Sequence, residues 1–152
     1  MFNQKSDKIK KIIEDFFKKG AFLASIEVLK TEEETITVRI KTEEPKILIG
    51  QNGQTLRDIH HLLRLILKKQ LQRDFYLDVD INDYKKKKSE YLKETARSLA
   101  DEVSLGGKEK ILDPMSSYER RVIHLELQDR ADVITESIGE GEERKIVIKP
   151  KK

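Results

Sequence analysis

Two glycines three positions apart, Gly50 and Gly53, follow an aliphatic run and precede a long segment with helical spacing of apolar residues. The run at residues 47–49 predicts a buried segment, and residues 56–71 predict an amphipathic helix. Because glycine has no Cβ, a Gly-x-x-Gly turn lets the backbone of another molecule approach closely. A helix that begins at Gly53 or Gln54 would direct its unpaired N–H groups at that turn. The pattern favours anion binding, although it also occurs as a plain connection between helices.

The segments around the turn follow a defined order. Residues 9–17 have helical spacing, whereas residues 24–28 and 36–40 alternate between apolar and polar side chains, as strands do. Pro45 ends the second strand and leads into a short helix before the turn. A third alternating segment, residues 77–81, follows the long helix. The predicted order is helix, strand, strand, two helices separated by the glycine turn, and strand.

This order, with its glycine loop between two helices, resembles the type II KH domain, a single-strand nucleic-acid-binding module whose loop clamps backbone nucleotides. The resemblance implies such a domain at residues 5–82. The RNA-binding residues that it implies are Lys46, Gly50, Gln51, Asn52, Gly53, Arg57 and His61. The loop departs from the family in having neutral residues between its glycines, where a basic residue is common. We expect Gly53→Asp to weaken RNA binding without unfolding the chain.

The long helix has a polar face beside its apolar stripe. That face carries Arg57, His61, Arg64, Lys68 and Gln72. Arg57 and His61 lie nearest the turn, where a phosphate or a base could reach them, but a face that only contacts water is the alternative. His60 and His61 are adjacent and point in different directions, so they make a poor metal pair.

Composition excludes several classes of function. The chain has 152 residues, a net charge of +3, three histidines and no cysteine, which excludes disulfides, thiolate zinc sites and cysteine nucleophiles. No phosphate-binding P-loop or clustered carboxylate pair is present, so we expect no enzyme, no metal and no cofactor. Neither a membrane span nor a signal peptide is recognisable. We therefore expect a cytoplasmic protein without membrane insertion.

A second long helix is predicted from residues 82–84 to about Leu105. The run Lys85–Lys88 occupies its first turn, which is the unfavourable end of the helix dipole for cations. A polyanionic partner would compensate that cost. A lysine-rich junction in contact with water is the equal alternative.

Ser116 and Glu119 form a capping-box pattern that predicts the start of a further helix. On this helix Arg120 and His124 are four residues apart and share one face. Two strands are predicted at residues 133–137 and 145–148, followed by a frayed basic tail from Lys149.

The segment Pro114-Met115-Ser-Ser-Tyr118-Glu119-Arg120-Arg121-x-x-His124 resembles the R-three-H domain, a single-stranded nucleic-acid binder named after its arginine and histidine. The resemblance implies a small α/β domain at residues 83–150, with Arg120, Arg121 and His124 as RNA-binding residues. A type II KH domain followed by an R-three-H domain, an α+β fold class, is similar to the bacterial Jag family, also called KhpB. Many members carry an extra N-terminal domain, which we expect this sequence to lack.

Family membership implies an RNA-binding protein in post-transcriptional regulation, linked to cell division, envelope growth or sporulation. The implied partners are single-stranded RNA, with single-stranded DNA as an alternative, and either a small single-KH protein or a second copy. A KH-fold interaction scaffold with incidental RNA contact is the alternative function. With five Phe, four Tyr and no Trp, we expect no aromatic stacking platform. Affinity should then depend on phosphate contacts and fall steeply with salt.

Overall fold

The computed structural model describes residues 2–29 and 34–152, which divide into two compact units, Met1–Tyr84 (unit 1) and Lys85–Lys152 (unit 2). The acidic turn predicted at residues 31–34 lies outside the described residues except for Glu34. Helix accounts for 54% and strand for 23% of the structure, which confirms the predicted α+β class.

Unit 1 contains a three-stranded sheet and three helices. In chain order its elements are α1 (Phe2–Lys19), β1 (Ala24–Leu29), β2 (Thr35–Thr42), α2 (Pro45–Ile49), α3 (Gln54–Leu71) and β3 (Tyr76–Ile81). The central strand β2 pairs antiparallel with β1 and parallel with β3. A parallel pair requires a crossover, and α2, the glycine turn and α3 supply it. The order predicted from periodicity is confirmed.

The core of unit 1 is formed by the apolar stripes of α1 and α3 packed on the alternating residues of the sheet. Ile13, Leu63 and Val38 are fully buried in this single cluster. The run at residues 47–49 is less buried than predicted, since Leu48 is buried but Ile47 is 55% exposed. The prediction is wrong for Ile47 because a one-turn helix places consecutive side chains on different sides.

Unit 2 has an all-antiparallel sheet and its own core. Its elements are α4 (Tyr84–Gly106, beginning at the last residue of unit 1), β4 (Lys110–Ile111), α5 (Ser117–Leu127), β5 (Val133–Ile138) and β6 (Lys145–Pro150). The strand order is β4-β6-β5. A compact aliphatic core includes Ala96 and Ala100 of α4, Ile123 of α5 and Ile146 of β6. Two-residue β4 was not predicted, because it is too short to show a period.

The C-terminal tail is ordered further than expected. Strand β6 continues to Pro150, the Lys149 ammonium lies 2.8 Å from a Glu136 carboxylate oxygen, and the Lys151 amide donates to the Asp132 carbonyl. The prediction of fraying from Lys149 is therefore wrong, since backbone pairing extends past the apolar residues that marked the strand. No helix among the described residues is long and apolar enough to cross a membrane.

Candidate nucleic-acid interface

The glycine turn is a single 3-10 turn, Gln51–Gly53, between α2 and α3. Gly50 (φ 72°, ψ −177°) and Gly53 (φ 76°, ψ 14°) both have positive φ, and Asn52 between them is left-handed with φ 53°. Gly53 is buried, whereas Gln51 and Asn52 are exposed. The two middle residues are therefore exposed to solvent in a backbone conformation that the two glycines permit.

Both glycines have a positive φ and close neighbours, and a Cβ would clash outright only at Gly50. A Cβ on Gly50 would lie 2.2 Å from the Thr55 hydroxyl oxygen, and one on Gly53 would lie 3.1 Å from the ring of Tyr84. Tyr84 comes from beyond β3, and sequence reasoning did not connect it with the turn. The expectation that Gly53→Asp leaves the fold intact stays a prediction, although the left-handed backbone and the nearby Tyr84 ring make position 53 a strained place for a side chain.

Backbone donors and one arginine surround the turn. The Gly50 amide donates to the Lys46 carbonyl and the Gly53 amide to the Gly50 carbonyl. The amides of Gln51 and Asn52 stand in the first turn of the 3-10 segment, where helix geometry supplies no acceptor. The Arg57 guanidinium donates to the Asn52 carbonyl over 2.9 Å. It therefore lies on the turn, as predicted, with further N–H groups to offer.

The remaining predicted residues of unit 1 differ in their surroundings. Lys46 is exposed on α2, one helical turn before Gly50, and His61 is exposed on α3, one turn beyond Arg57. His60 points elsewhere, because its Nε2 lies 2.6 Å from the Leu77 carbonyl and joins α3 to β3. Among the described residues, no three His, Asp or Glu side chains are grouped so that they could hold a metal ion.

The motif residues of unit 2 lie at the start and middle of α5. The predicted capping box between Ser116 and Glu119 is present. Half-buried Arg120 donates to the Met115 carbonyl over 2.6 Å, just before the helix. Arg121 is exposed to solvent. The helix start therefore fixes Arg120 and leaves Arg121 accessible.

His124 faces β5. Its Nδ1 lies 2.6 Å from the Thr135 hydroxyl and its Nε2 lies 3.0 Å from the Ser137 hydroxyl. Sequence reasoning missed both hydroxyls, although Thr135 and Ser137 are two residues apart in a strand and so share the face of buried Val133. Since both ring nitrogens are engaged within unit 2, direct donation from His124 to a phosphate would require one of these bonds to break.

Burial and the positive charge of Arg120 lower the pKa of His124 below its ordinary value. A neutral imidazole has one N–H donor and one acceptor nitrogen, and a hydroxyl can satisfy either. The two hydroxyls can accept from an imidazolium as well, so burial of the ring and the positive charge of Arg120, rather than the hydrogen bonds, are what disfavour the charged form.

We expect the stability of unit 2 to fall as the pH falls through the titration range of His124. The folded pKa is depressed, so the unfolded chain binds more protons and the free energy of unfolding decreases toward low pH. Urea unfolding of the wild type and His124→Gln at about pH 7.5 and about pH 5.5 measures this effect. The wild-type midpoint should drop further than that of the variant, which lacks the imidazole at position 124. An equal drop in both would contradict the assignment.

The lysine run begins α4 as predicted, and its members are not equivalent. Lys86 and Lys87 are exposed. The Lys88 ammonium lies 3.7 Å from a Glu119 carboxylate oxygen and 6.0 Å from the centre of the Tyr91 ring. Lys88 thus has a structural contact inside unit 2, which the sequence did not indicate.

Family models divide the chain in the same order as these two sites. A KH domain matches residues 8–91, and an R-three-H domain matches residues 90–150. The fold and the sites thus define a protein with a KH domain followed by an R-three-H domain.

Curated relatives of this chain carry the name RNA-binding protein KhpB. The Clostridium symbiosum protein is 34% identical over 128 residues, covering 84% of this chain and 57% of the relative. The Bacillus subtilis protein is 36% identical over 126 residues, covering 82% and 61%. The Streptococcus pneumoniae D39 protein is 36% identical over 109 residues, covering 72% and 33%. This chain belongs to the Jag/KhpB family, and it spans between a third and three fifths of the length of these relatives.

Solved structures also overlap with part of the chain. Aquifex aeolicus Era bound to GDP and aluminium fluoride superposes with a TM-score of 0.39 and 20% identity, covering 48% of this chain and 29% of that one.

Proposed function

We propose that this chain is a non-enzymatic protein that holds single-stranded RNA, or single-stranded DNA, through one site in each unit. The observation that carries the proposal is the glycine turn, whose two middle residues are exposed between two glycines with positive φ. Such a turn admits a sugar-phosphate backbone to its amides. The RNA-binding names of the KhpB relatives support the same conclusion.

In unit 1 (proposed residues 5–82), a phosphate lies against the turn between Gly50 and Gly53 and receives hydrogen bonds from the Gln51 and Asn52 amides. Arg57, already held at the turn by the Asn52 carbonyl, supplies positive charge. Lys46 and His61 flank it on α2 and α3. The bases extend from the turn along α3 toward the end of β2 near Ile40, whose own side chain is buried.

In unit 2 (proposed residues 83–150), Arg121 is the exposed phosphate contact and Arg120 offers the N–H groups that the Met115 carbonyl leaves free. His124 contributes through its ring, whose orientation Thr135 and Ser137 fix. The match of this unit to the R-three-H domain model and the RNA-binding names of the relatives support a binding role for this site.

We also propose a cellular setting, which is the one that the family resemblance implies. We place the protein in the bacterial cytoplasm, in post-transcriptional regulation linked to cell division, envelope growth or sporulation. A small single-KH protein or a second copy of this chain is the proposed protein partner.

An interaction scaffold is the second candidate function. It is favoured by Leu62 and Leu65, which are 47% and 51% exposed on the outer side of α3. Apolar side chains on an exposed helix are a common docking surface for a partner protein.

Titration of a short, unstructured, labelled RNA at about 50 mM and about 200 mM salt tests the proposal. If about four phosphates are neutralised, the affinity should fall roughly 50-fold between these conditions. An RNA duplex of equal length should compete poorly. Absence of binding at the lower salt concentration would contradict the proposal and favour the scaffold.

Two single substitutions test whether both units hold the same RNA. Arg57→Gln and Arg121→Gln should each lower affinity roughly fivefold and reduce the salt slope by about 0.7, because each removes one phosphate contact. The double variant should show the sum of the two free-energy changes. Arg64→Gln, an exposed arginine further along α3, is the control. If Arg121→Gln matches Arg64→Gln, recognition is restricted to unit 1.

A further inference from the structure

Two aromatic rings of unit 2 lie outside its core. That core is built from aliphatic side chains, whereas Tyr91 on α4 and Tyr118 on α5 are 62% and 61% exposed. Packing within unit 2 therefore does not account for either ring. The composition, with four tyrosines and no tryptophan, gave no indication that two would be presented to solvent in one small unit.

Lys88 lies near Tyr91 and also near Glu119, the residue that follows Tyr118. Its ammonium lies 6.0 Å from the centre of the Tyr91 ring and 3.7 Å from the carboxylate of Glu119, the residue after Tyr118. Lys88 thus connects the turn of α4 that carries Tyr91 to the first turn of α5. With its carboxylate taken up by Lys88 and by the Ser116 amide, Glu119 presents less negative charge to an approaching anion.

Each tyrosine also has an exposed cation on its own helix face. Lys87 precedes Tyr91 by four residues, and Arg121 follows Tyr118 by three, so each pair is adjacent on a helix surface. An aromatic face next to a cation is the combination that binds single strands, since the ring stacks on a base while the cation contacts the neighbouring phosphate. This arrangement also accounts for lysines at the unfavourable end of the α4 dipole.

We propose that Tyr91 and Tyr118 stack nucleobases of the bound strand, with Lys87 and Arg121 at the adjacent phosphates. The inference rests on the proposed function and adds base contacts to it, where the sequence indicated only phosphate contacts. The inference also gives the lysine run at the start of α4 a role, which is phosphate binding by unit 2. Stacking accepts any base, so these contacts add affinity without strong sequence preference.

The test compares Tyr91→Leu and Tyr118→Leu with Tyr→Phe at the same positions. Leucine keeps apolar volume and helix propensity but removes the ring, whereas phenylalanine keeps the ring. Each leucine variant should bind short unstructured RNA roughly tenfold more weakly than the wild type, and each phenylalanine variant should bind about equally. On an abasic strand of the same length, wild type and leucine variants should bind equally. Because the chain has no Trp, tyrosine fluorescence can be followed, and the part of its quenching by RNA that a leucine variant loses reports stacking on the replaced ring.

Tyr76→Leu is the matched control, since Tyr76 of unit 1 is the most exposed tyrosine at 72% and should be replaceable without effect. If the wild type binds RNA and Tyr91→Leu and Tyr118→Leu bind it equally well, this inference is overturned while the proposed function stands. Equal losses on RNA and on the abasic strand would also overturn it, because the rings would then not contact bases. No wild-type binding to either strand would overturn the proposed function and this inference with it.

Discussion

Replacement of both middle residues of the glycine turn by aspartate, Gln51→Asp with Asn52→Asp, is expected to weaken single-stranded RNA binding roughly 30-fold. Each added carboxylate near a bound phosphate costs about 1 kcal/mol even at the dielectric constant of water, so the pair costs about 2 kcal/mol or more. Both positions are exposed, and aspartate tolerates the left-handed conformation of Asn52. The circular dichroism spectrum and the unfolding midpoint should therefore change little.

The matched control is Gln70→Asp with Gln72→Asp at the other end of α3. It makes the same change in net charge at exposed positions, and Gln72 is also left-handed, with φ 51°. The control pair lies about 25 Å away along the helix, where screening leaves little effect on the turn. Equal losses from both pairs would show that only overall charge matters and would contradict a clamp at the turn. Gly53→Asp is a poorer test, because any strain at position 53 beside Tyr84 would mix a folding defect with a binding defect.

Gly50→Ala is expected to destabilise unit 1 by about 3 kcal/mol. Its conformation, φ 72° and ψ −177°, is one that only glycine adopts readily. The new Cβ would also lie within 2.9 Å of three Thr55 atoms, including the backbone nitrogen, so a side-chain rotation cannot relieve the contact. Urea unfolding, with hydrogen exchange to separate the two units, measures the loss.

Gly141→Ala is the control for the contribution of backbone conformation alone. Gly141 has φ 56° in unit 2, and a Cβ there would meet nothing within 4 Å. Its loss of stability should be about 1 kcal/mol and should be confined to unit 2. If the two alanine variants lose equal stability, the close contact with Thr55 is not what requires glycine at position 50.

Much of the fold could be predicted because its elements carry their own periodicity. Alternation in β2 and β3 and the stripe of α3 each mark one buried face, and Pro45 marks the break that leads into the turn. The exceptions have local causes. Strand β4 has only two residues, and β6 continues into Lys149 and Pro150 through backbone pairing that hydropathy does not register.

The site was less predictable because its contacts join residues that are distant in sequence. The position of Arg57 followed from its place one turn beyond Gly53. The packing of Tyr84 on Gly53 and the bonds from His124 to Thr135 and Ser137 could not be predicted, since each depends on how separate elements pack. Periodicity identifies which face of an element is buried, but it does not identify the partner that the face meets.

The central claim is that the turn in unit 1 and the start of α5 in unit 2 hold one RNA strand. Amide chemical-shift mapping of the labelled full chain, titrated with a short unstructured RNA, tests it most directly. We predict that the largest changes occur at Gln51, Asn52 and Gly53 and at Arg120 and Arg121, and that both groups follow one binding curve. Changes confined to the outer side of α3 around Leu62 and Leu65, or none near the turn, would contradict the claim.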